Sequence, residues 1–299
     1  MKPPAFTYHR PATVAEAVEV LADLGADGKV LAGGQSLVPV LNMRLAAPKH
    51  LVDINRLGDL AYVATGAEMV RVGALARHTQ TERDEDAFAT LPLLRRATRN
   101  VAHPTIRNRG TTVGSIVHAD PAAELPAVLL LSDGEVELAS AAGSRTVPAA
   151  EFFLGPLESA LRAGELAVAA GFRVPPPRTG SAWLEVSRRA GDYALCGLGL
   201  AVTLDTDGRT LRSARAAYIS VGPTPVLVDL TDAVGGQPHD RADWAAAGGL
   251  AASRVEPDDD IHATADYRRH LVRVLTQRAG RTATAEAIRL AGAGEGSDG

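Results

Sequence analysis

Residues 29–41, KVLAGGQSLVPVL, run from apolar Val30-Leu31-Ala32 through two adjacent glycines into a second apolar run with Pro39 near its start. The first run reads as a short buried strand. Ser36 is placed to cap a helix over roughly 37–46, where Leu37, Val40, Leu41 and Leu45 share a face, Pro39 sits in the first turn and Pro48 follows the end. A strand that hands over to a helix in this way presents unpaired backbone N–H groups and the positive end of a dipole, a ready anion site. Glycine at Gly33 and Gly34 omits the Cβ that would hold a phosphate away from the main chain. The plainer reading of two glycines is a tight turn. The stretch is neither G-x-G-x-x-G nor a P-loop, so Rossmann and Walker chemistry are not indicated.

Composition sets the wider frame. The chain has 299 residues, about two domains on length alone, and is 46% hydrophobic and 22% charged, which is ordinary for a globular protein. A formal net charge of −4 argues against nucleic acid or an anionic membrane as the main partner. The one cysteine, Cys196, can close no internal disulfide and cannot by itself hold an iron–sulfur cluster or a thiolate zinc site. The opening MKPPAFTYHR has no apolar core of a signal peptide, and no run approaches 18 apolar residues. Membrane insertion is not expected, and the cytoplasm is the expected compartment.

Working outward from the double glycine, Thr13-Val14-Ala15-Glu16 is a capping box ahead of Val14, Ala17, Val18, Leu21 and Leu24 at helical spacing. HLVDI and VRVGAL read as strands. A helical stretch near 90–102 leads into HPTIRNRGTTVGSIVHADPAAELP. A helix over 122–132 follows, with Asp120 as N-cap and Pro121 in first position. Residues 135–174 read as short strands and turns. RVPPPRTGS (173–181) is the best boundary, because three consecutive prolines resist both helix and sheet. Beyond it AWLEVSR, ALCGLGLAVTLD and SARAAYISVG predict three strands of an antiparallel sheet, joined by turns such as Asp207-Gly208. A helix near 264–278 and a second short helix come next, and the AGAGEGSDG tail is expected to be disordered.

Gly110-Thr111-Thr112-Val113-Gly114-Ser115 is a second stretch of glycines and hydroxyls before an apolar segment. Two such loops in one half-chain suit the two phosphates of a dinucleotide. Here LAGGQSLVPVLNMRLAAPKHLVDINRL and RNRGTTVGSIVHADPAAELPAVLL resemble the two FAD-binding signatures of the molybdenum hydroxylase flavoprotein subunit. This is the carbon monoxide dehydrogenase medium subunit, also the FAD domain of xanthine dehydrogenase. SRRAGDYALCG and PDDDIHATADYRRHLVRVLTQRA continue the resemblance, which covers residues 1–285 in order.

The resemblance implies an α+β fold. A two-lobed FAD-binding domain of the vanillyl-alcohol-oxidase/PCMH type would span 1–175 (lobes about 1–55 and 56–175). A C-terminal antiparallel sheet-and-helix domain would span 176–285, with a disordered tail over 286–299. It implies an FAD-dependent oxidoreductase with FAD as cofactor. Ala32, Gly33, Gly34, Gln35 and Ser36 would wrap the diphosphate, with Leu37 beside them. Thr111, Gly114 and Ser115 would approach from the other side. Val117 would pack on the flavin or its ribityl chain, Asp120 and Glu124 would bond FAD hydroxyls, and Tyr193 would lie by the isoalloxazine.

Each residue also has a plainer reading: Asp120 as an N-cap only, Glu124 as a favourable charge in a first helical turn, Tyr193 as core. Arg188 and Arg189 read as solvated or structural. His103 and His118 flank the second loop without metal-ligand spacing, and no metal site is expected.

Two positions depart from the family pattern. The second loop usually reads Thr-x-Gly-Gly-Ser, and Val113 stands where the first of those glycines would be. Valine disfavours positive φ, so either the turn differs or that amide is not a phosphate contact. Position 185, lysine in many relatives, is Glu185.

The expected function is electron transfer through FAD, from a [2Fe–2S] small subunit to quinone, NAD or oxygen, with chemistry on a molybdopterin-binding large subunit. The two departures motivate an alternative, a stand-alone flavin oxidase or monooxygenase acting on a small organic molecule. A third class is a scaffold that has lost FAD.

Overall fold

The computed structural model describes residues 2–295. The chain forms two compact units, each assembled from three segments. Of the described residues, the first takes 2–90, His103–Ala119 and Asp133–Arg173, and the second takes Leu91–Ala102, Asp120–Ser132 and 174–295.

The first unit opens on a three-stranded parallel sheet. His50–Asp53 lies in the middle, between Thr7–His9 and Gly28–Leu31. Parallel strands need crossover connections, and helix Val14–Leu24, which buries Ala17, Val18 and Leu21, lies in the one between the two outer strands. Its predicted cap is present: Thr13 Oγ1 accepts from the Glu16 amide at 3.1 Å. The Glu16 carboxylate reaches back to the Ala12 amide at 2.7 Å, one residue before the usual partner. Strand Gly28–Leu31 and a helix flank the double glycine, as the apolar pattern predicts, but the helix is Leu37–Asn42 rather than 37–46, since Arg44 turns to φ +59°.

The same unit holds a five-stranded antiparallel sheet in the order Val63–Thr65, Met69–Gly73, Leu166–Arg173, Glu135–Ser140 and Gly143–Pro148. Helix Thr112–His118, carrying the second glycine stretch, also belongs to this unit.

The second unit is a four-stranded antiparallel meander, Thr179–Ser187, Ala194–Leu204, Leu211–Ile219 and Val226–Asp229, the first three strands being those the sequence predicts. Alternate residues of a strand face opposite sides. Cys196, Leu198, Leu200 and Val202 point into the core that Leu275, Ala279, Ala283 and Ala287 line. On the other side, a Cβ on Gly199 would stand 3.2 Å from Leu131 of helix Glu124–Leu131. Covered on both faces, the strand reads as an almost unbroken apolar run.

Three expectations are corrected. The C-terminal helix is one element, Ala265–Glu295, rather than two, so the tail expected to be disordered over 286–299 is helical through Glu295. Its last four residues, 296–299, lie outside the described residues. Burial of Ala283, Ala287 and Ala291, together with the ion pair from Arg96 to Glu286, holds this low-complexity segment helical. Helix 122–132 starts later, at Glu124. Asp120 instead closes the preceding turn, accepting from the Ala122 amide at 2.9 Å. Ser36 is itself in the α region, and its side chain makes no capping bond. Among the described residues no helix is long and apolar enough to cross a membrane.

Candidate functional site

The two glycines of the first loop have different causes. Gly34 has φ +72°, a conformation that L residues rarely adopt. Gly33 is confined by packing: a Cβ there would stand 2.5 Å from the Arg109 carbonyl oxygen and 2.7 Å from Gly110 Cα. The two glycine stretches are thus in main-chain contact. Among the described residues, the amides of Gly33, Gly34, Gln35 and Ser36 donate to no protein acceptor. Helix Leu37–Asn42 is six residues long and contributes little dipole, so the anion-binding capacity rests on those free N–H groups.

They border a cleft of about 430 Å³ whose walls include Ala32, Gly33, Gly34, Gln35, Asn55 and Arg109. Ser36 is exposed beyond it, and Leu37 is half-buried. Asp53, at the end of the central strand, also faces this cleft, with one oxygen accepting from the Tyr8 hydroxyl. Its other oxygen takes the Asn55 amide at 2.9 Å and Asn55 Nδ2 at 2.6 Å. Burial works against this carboxylate's charge, but the Tyr8 and Asn55 donors outweigh it and hold the group below the usual range.

The second loop is pinned from behind. Gly110 carbonyl accepts from the His78 amide at 3.0 Å, and the Thr112 amide donates to Ala76 at 3.2 Å. The Thr112 and Thr81 hydroxyls meet at 3.0 Å. Thr111 caps helix Thr112–His118, its Oγ1 accepting from the Gly114 amide at 3.1 Å. That amide is therefore spent inside the protein, while the Thr111 hydroxyl proton stays available. Val113 is buried in the first helical turn and is not among the positive-φ residues. The bulk that looked disruptive fills core, and the local turn is helical. Ser115 and Val117 are half-buried on the same helix. His78, buried against Gly110, is held neutral: burial first, then the Arg107 charge, lower it to about 4.

Asp120, Glu124 and Tyr193 fall in the second unit and form one electrostatic group. Glu124 is pushed up to about 8, mainly by desolvation and then by the charges of Glu185 and Asp120. Glu185 is itself raised by burial, although Trp183 Nε1 donates to its Oε2 at 3.0 Å. Glu185 lies directly opposite Gly197, and Trp183 opposite Gly199, so both share the sheet face that helix Glu124–Leu131 covers. Tyr193 is 70% exposed just before strand Ala194–Leu204, so it is not core. Its phenol is raised by desolvation, then by Asp120 and Glu124. Arg188 and Arg189 are exposed.

Motif reading missed Asp53, Asn55 and Arg109, which line the cleft, and Arg77, which donates to the Arg109 carbonyl and to Asn55 Oδ1. A polar pair in VDIN at the end of a buried parallel strand was the available signal, because open sheets bind ligands beyond their carboxyl ends. Nothing local marks Arg77.

A strand-to-helix cleft of free amides, carrying a cation and backed by a second glycine loop, defines a protein that binds an anionic nucleotide cofactor. The chain matches the family model "FAD binding domain in molybdopterin dehydrogenase" over residues 4–177 and "CO dehydrogenase flavoprotein C-terminal domain" over 181–283. It is 40% identical over 286 residues to the 6-hydroxypseudooxynicotine dehydrogenase complex subunit alpha of Paenarthrobacter nicotinovorans, covering 93% of this chain and 94% of that one. It is 36% identical to the carbon monoxide dehydrogenase medium chain of Hydrogenophaga pseudoflava, covering 93% and 97%. A crystal structure of quinoline 2-oxidoreductase from Pseudomonas putida 86 superposes with a TM-score of 0.91 at 35% identity, over 96% of this chain and 100% of that one. The chain belongs to the FAD-binding medium-subunit family of the molybdenum hydroxylases. It is a flavoprotein oxidoreductase component with FAD as its cofactor.

Proposed function

We propose that this chain is the electron-transfer subunit of a molybdenum hydroxylase complex. It takes electrons from a [2Fe–2S] small subunit and passes them to quinone, NAD or oxygen, while substrate is oxidised on a molybdopterin-binding large subunit. The carrying observation is the cleft of unpaired Gly33, Gly34, Gln35 and Ser36 amides in a chain that matches medium subunits almost end to end. When bound, FAD supplies the redox chemistry, and the protein supplies position and electrostatics.

The residues divide the work. Ala32 to Ser36 cradle the diphosphate through main-chain N–H groups, and Leu37 closes the loop behind them. Thr111 offers its hydroxyl proton, Ser115 its hydroxyl, and Gly114 a face without a side chain. Val117 gives apolar contact. Asp120 and Glu124 bond FAD hydroxyls, Glu124 doing so as a donor while it holds its proton. Tyr193 shields the flavin ring. Residues 1–175 serve as the FAD domain and 176–285 as the C-terminal domain, and the complex works in the cytoplasm.

Native mass spectrometry of the protein, tagged at its own locus and isolated gently from its host, tests the reading. Arrival with a large molybdopterin chain and a small iron–sulfur chain is the expected result. Arrival alone with a mass matching FAD would replace it with a stand-alone oxidase or monooxygenase acting on a small organic molecule. Glu185, standing where many relatives carry lysine, motivates that second reading.

A further inference from the structure

We infer that Arg109 is the side chain that pairs with the FAD diphosphate, and that Arg77 with Asn55 forms the clasp that aims it. The inference rests on the FAD assignment and adds to it the residues that set the charge and width of the cleft.

The clasp is a chain of three hydrogen bonds. Arg77 Nη1 donates to the Arg109 carbonyl at 2.6 Å, and Nη2 donates to Asn55 Oδ1 at 2.6 Å. Asn55 Nδ2 in turn donates to the Ala32 carbonyl at 2.9 Å. One planar guanidinium thus ties the carbonyl before Gly110 to the carbonyl before Gly33. Its fork fixes the separation of the two loops, which a single-point ammonium could not do. The contact is already tight, with no room for a Cβ on Gly33 against Arg109 and Gly110. A small change in loop spacing would therefore widen or close the cleft.

The cleft lining carries Asp53 and Arg109, with Arg10 and Arg77 close by. Asp53 is negative, with both oxygens occupied by Tyr8 and Asn55, and Arg10 adds a favourable field. Arg77 is positive and partly buried, and Asp53 offsets it. Arg109 lines the cleft, is exposed, and among the described residues its guanidinium has no hydrogen-bond or ion-pair partner. An unpaired guanidinium beside four unpaired amides matches a diphosphate, which offers several anionic oxygens to a planar fork.

The test uses flavin-free full-length chain and equilibrium titration with FAD, ADP and adenosine at two salt concentrations. Arg109→Ala should weaken FAD and ADP by about 10- to 100-fold, the range for a lost charge-assisted bond, and flatten their salt dependence. Adenosine should be unaffected, and Arg109→Lys should recover part of the loss. Melting of the unliganded chain should not move, because the Arg109 side chain has no protein partner to lose. Arg77→Met should weaken FAD and ADP as well. Combined with Arg109→Ala it should cost less than the product of the two single effects, since one residue acts through the other.

Unchanged ADP affinity and salt slope in Arg109→Ala, with wild type binding normally, would overturn the inference alone. Equal losses for ADP and adenosine would overturn it too. A wild-type chain that binds neither FAD nor ADP would sink the cofactor assignment with it.

Discussion

Glu124 has the most perturbed carboxyl with a direct consequence for stability. Its folded-state value of about 8 lies above the ordinary 4.5, so the native chain holds a proton that the unfolded chain gives up. Stability from this group is therefore fully present below about pH 4.5 and is lost as pH rises toward 8. Glu124→Gln should remove that decline and stabilise the protein at pH 8 by about 1–3 kcal/mol, discounted because the side chain is only half-buried. Little change is expected near pH 4.5. Urea unfolding at both pH values measures it, and an equal effect at both would contradict the assignment. Glu185→Lys should flatten the same slope by replacing a repulsive neighbour with an attractive one. Position 185 was visible in the sequence as a departure from relatives. Its effect on Glu124 was not, because the two residues are 61 positions apart in the chain and share a face only once a helix packs on the sheet.

At the scale of elements, the long helix Ala265–Glu295 and strand Thr179–Ser187 are built for close approach. A Cβ on Gly180 would stand 2.0 Å from the Ala283 carbonyl and 2.4 Å from the Ala287 amide, and backbone cannot swing aside as a side chain can. Gly180→Ala should cost about 2–3 kcal/mol, measured by chemical denaturation of the full chain. A neutral result would mean that the helix slides freely on the strand. The contact is fastened beside it by Arg96, whose guanidinium reaches Glu286 at 2.5 Å and 2.7 Å while the Ser181 amide donates to the same carboxylate at 2.8 Å. Strand pattern in ALCGLGLAVTLD and the capping box at Thr13 were legible because they depend on neighbours in sequence. The single 31-residue helix was not, since its glycine- and alanine-rich end is helical only through packing.

For the whole molecule, the chain passes between the two compact units at 90/91, 102/103, 119/120, 132/133 and 173/174. Neither unit is a continuous stretch, so neither can be cut out at one boundary. Both tryptophans, Trp183 and Trp244, lie in the second unit. Tryptophan fluorescence therefore reports that unit, while far-UV circular dichroism reports both. Because each unit needs all three of its segments, the two signals should give one coincident urea transition. Separate midpoints would mean that the units unfold independently.

The sequence by itself determined the family, the strand–glycine–helix handover at residues 29–41, the antiparallel strands after the triple proline, and FAD as the cofactor. Those depend on residue order, periodicity and turn chemistry, which are local. Tertiary structure alone decided that Gly33 is glycine because Arg109 and Gly110 lie against it. It also decided that Val113 is a helical core residue and that residues 91–102 and 120–132 join the second unit. Each of these depends on which distant segments the fold brings within van der Waals or hydrogen-bond range, and no local pattern encodes that.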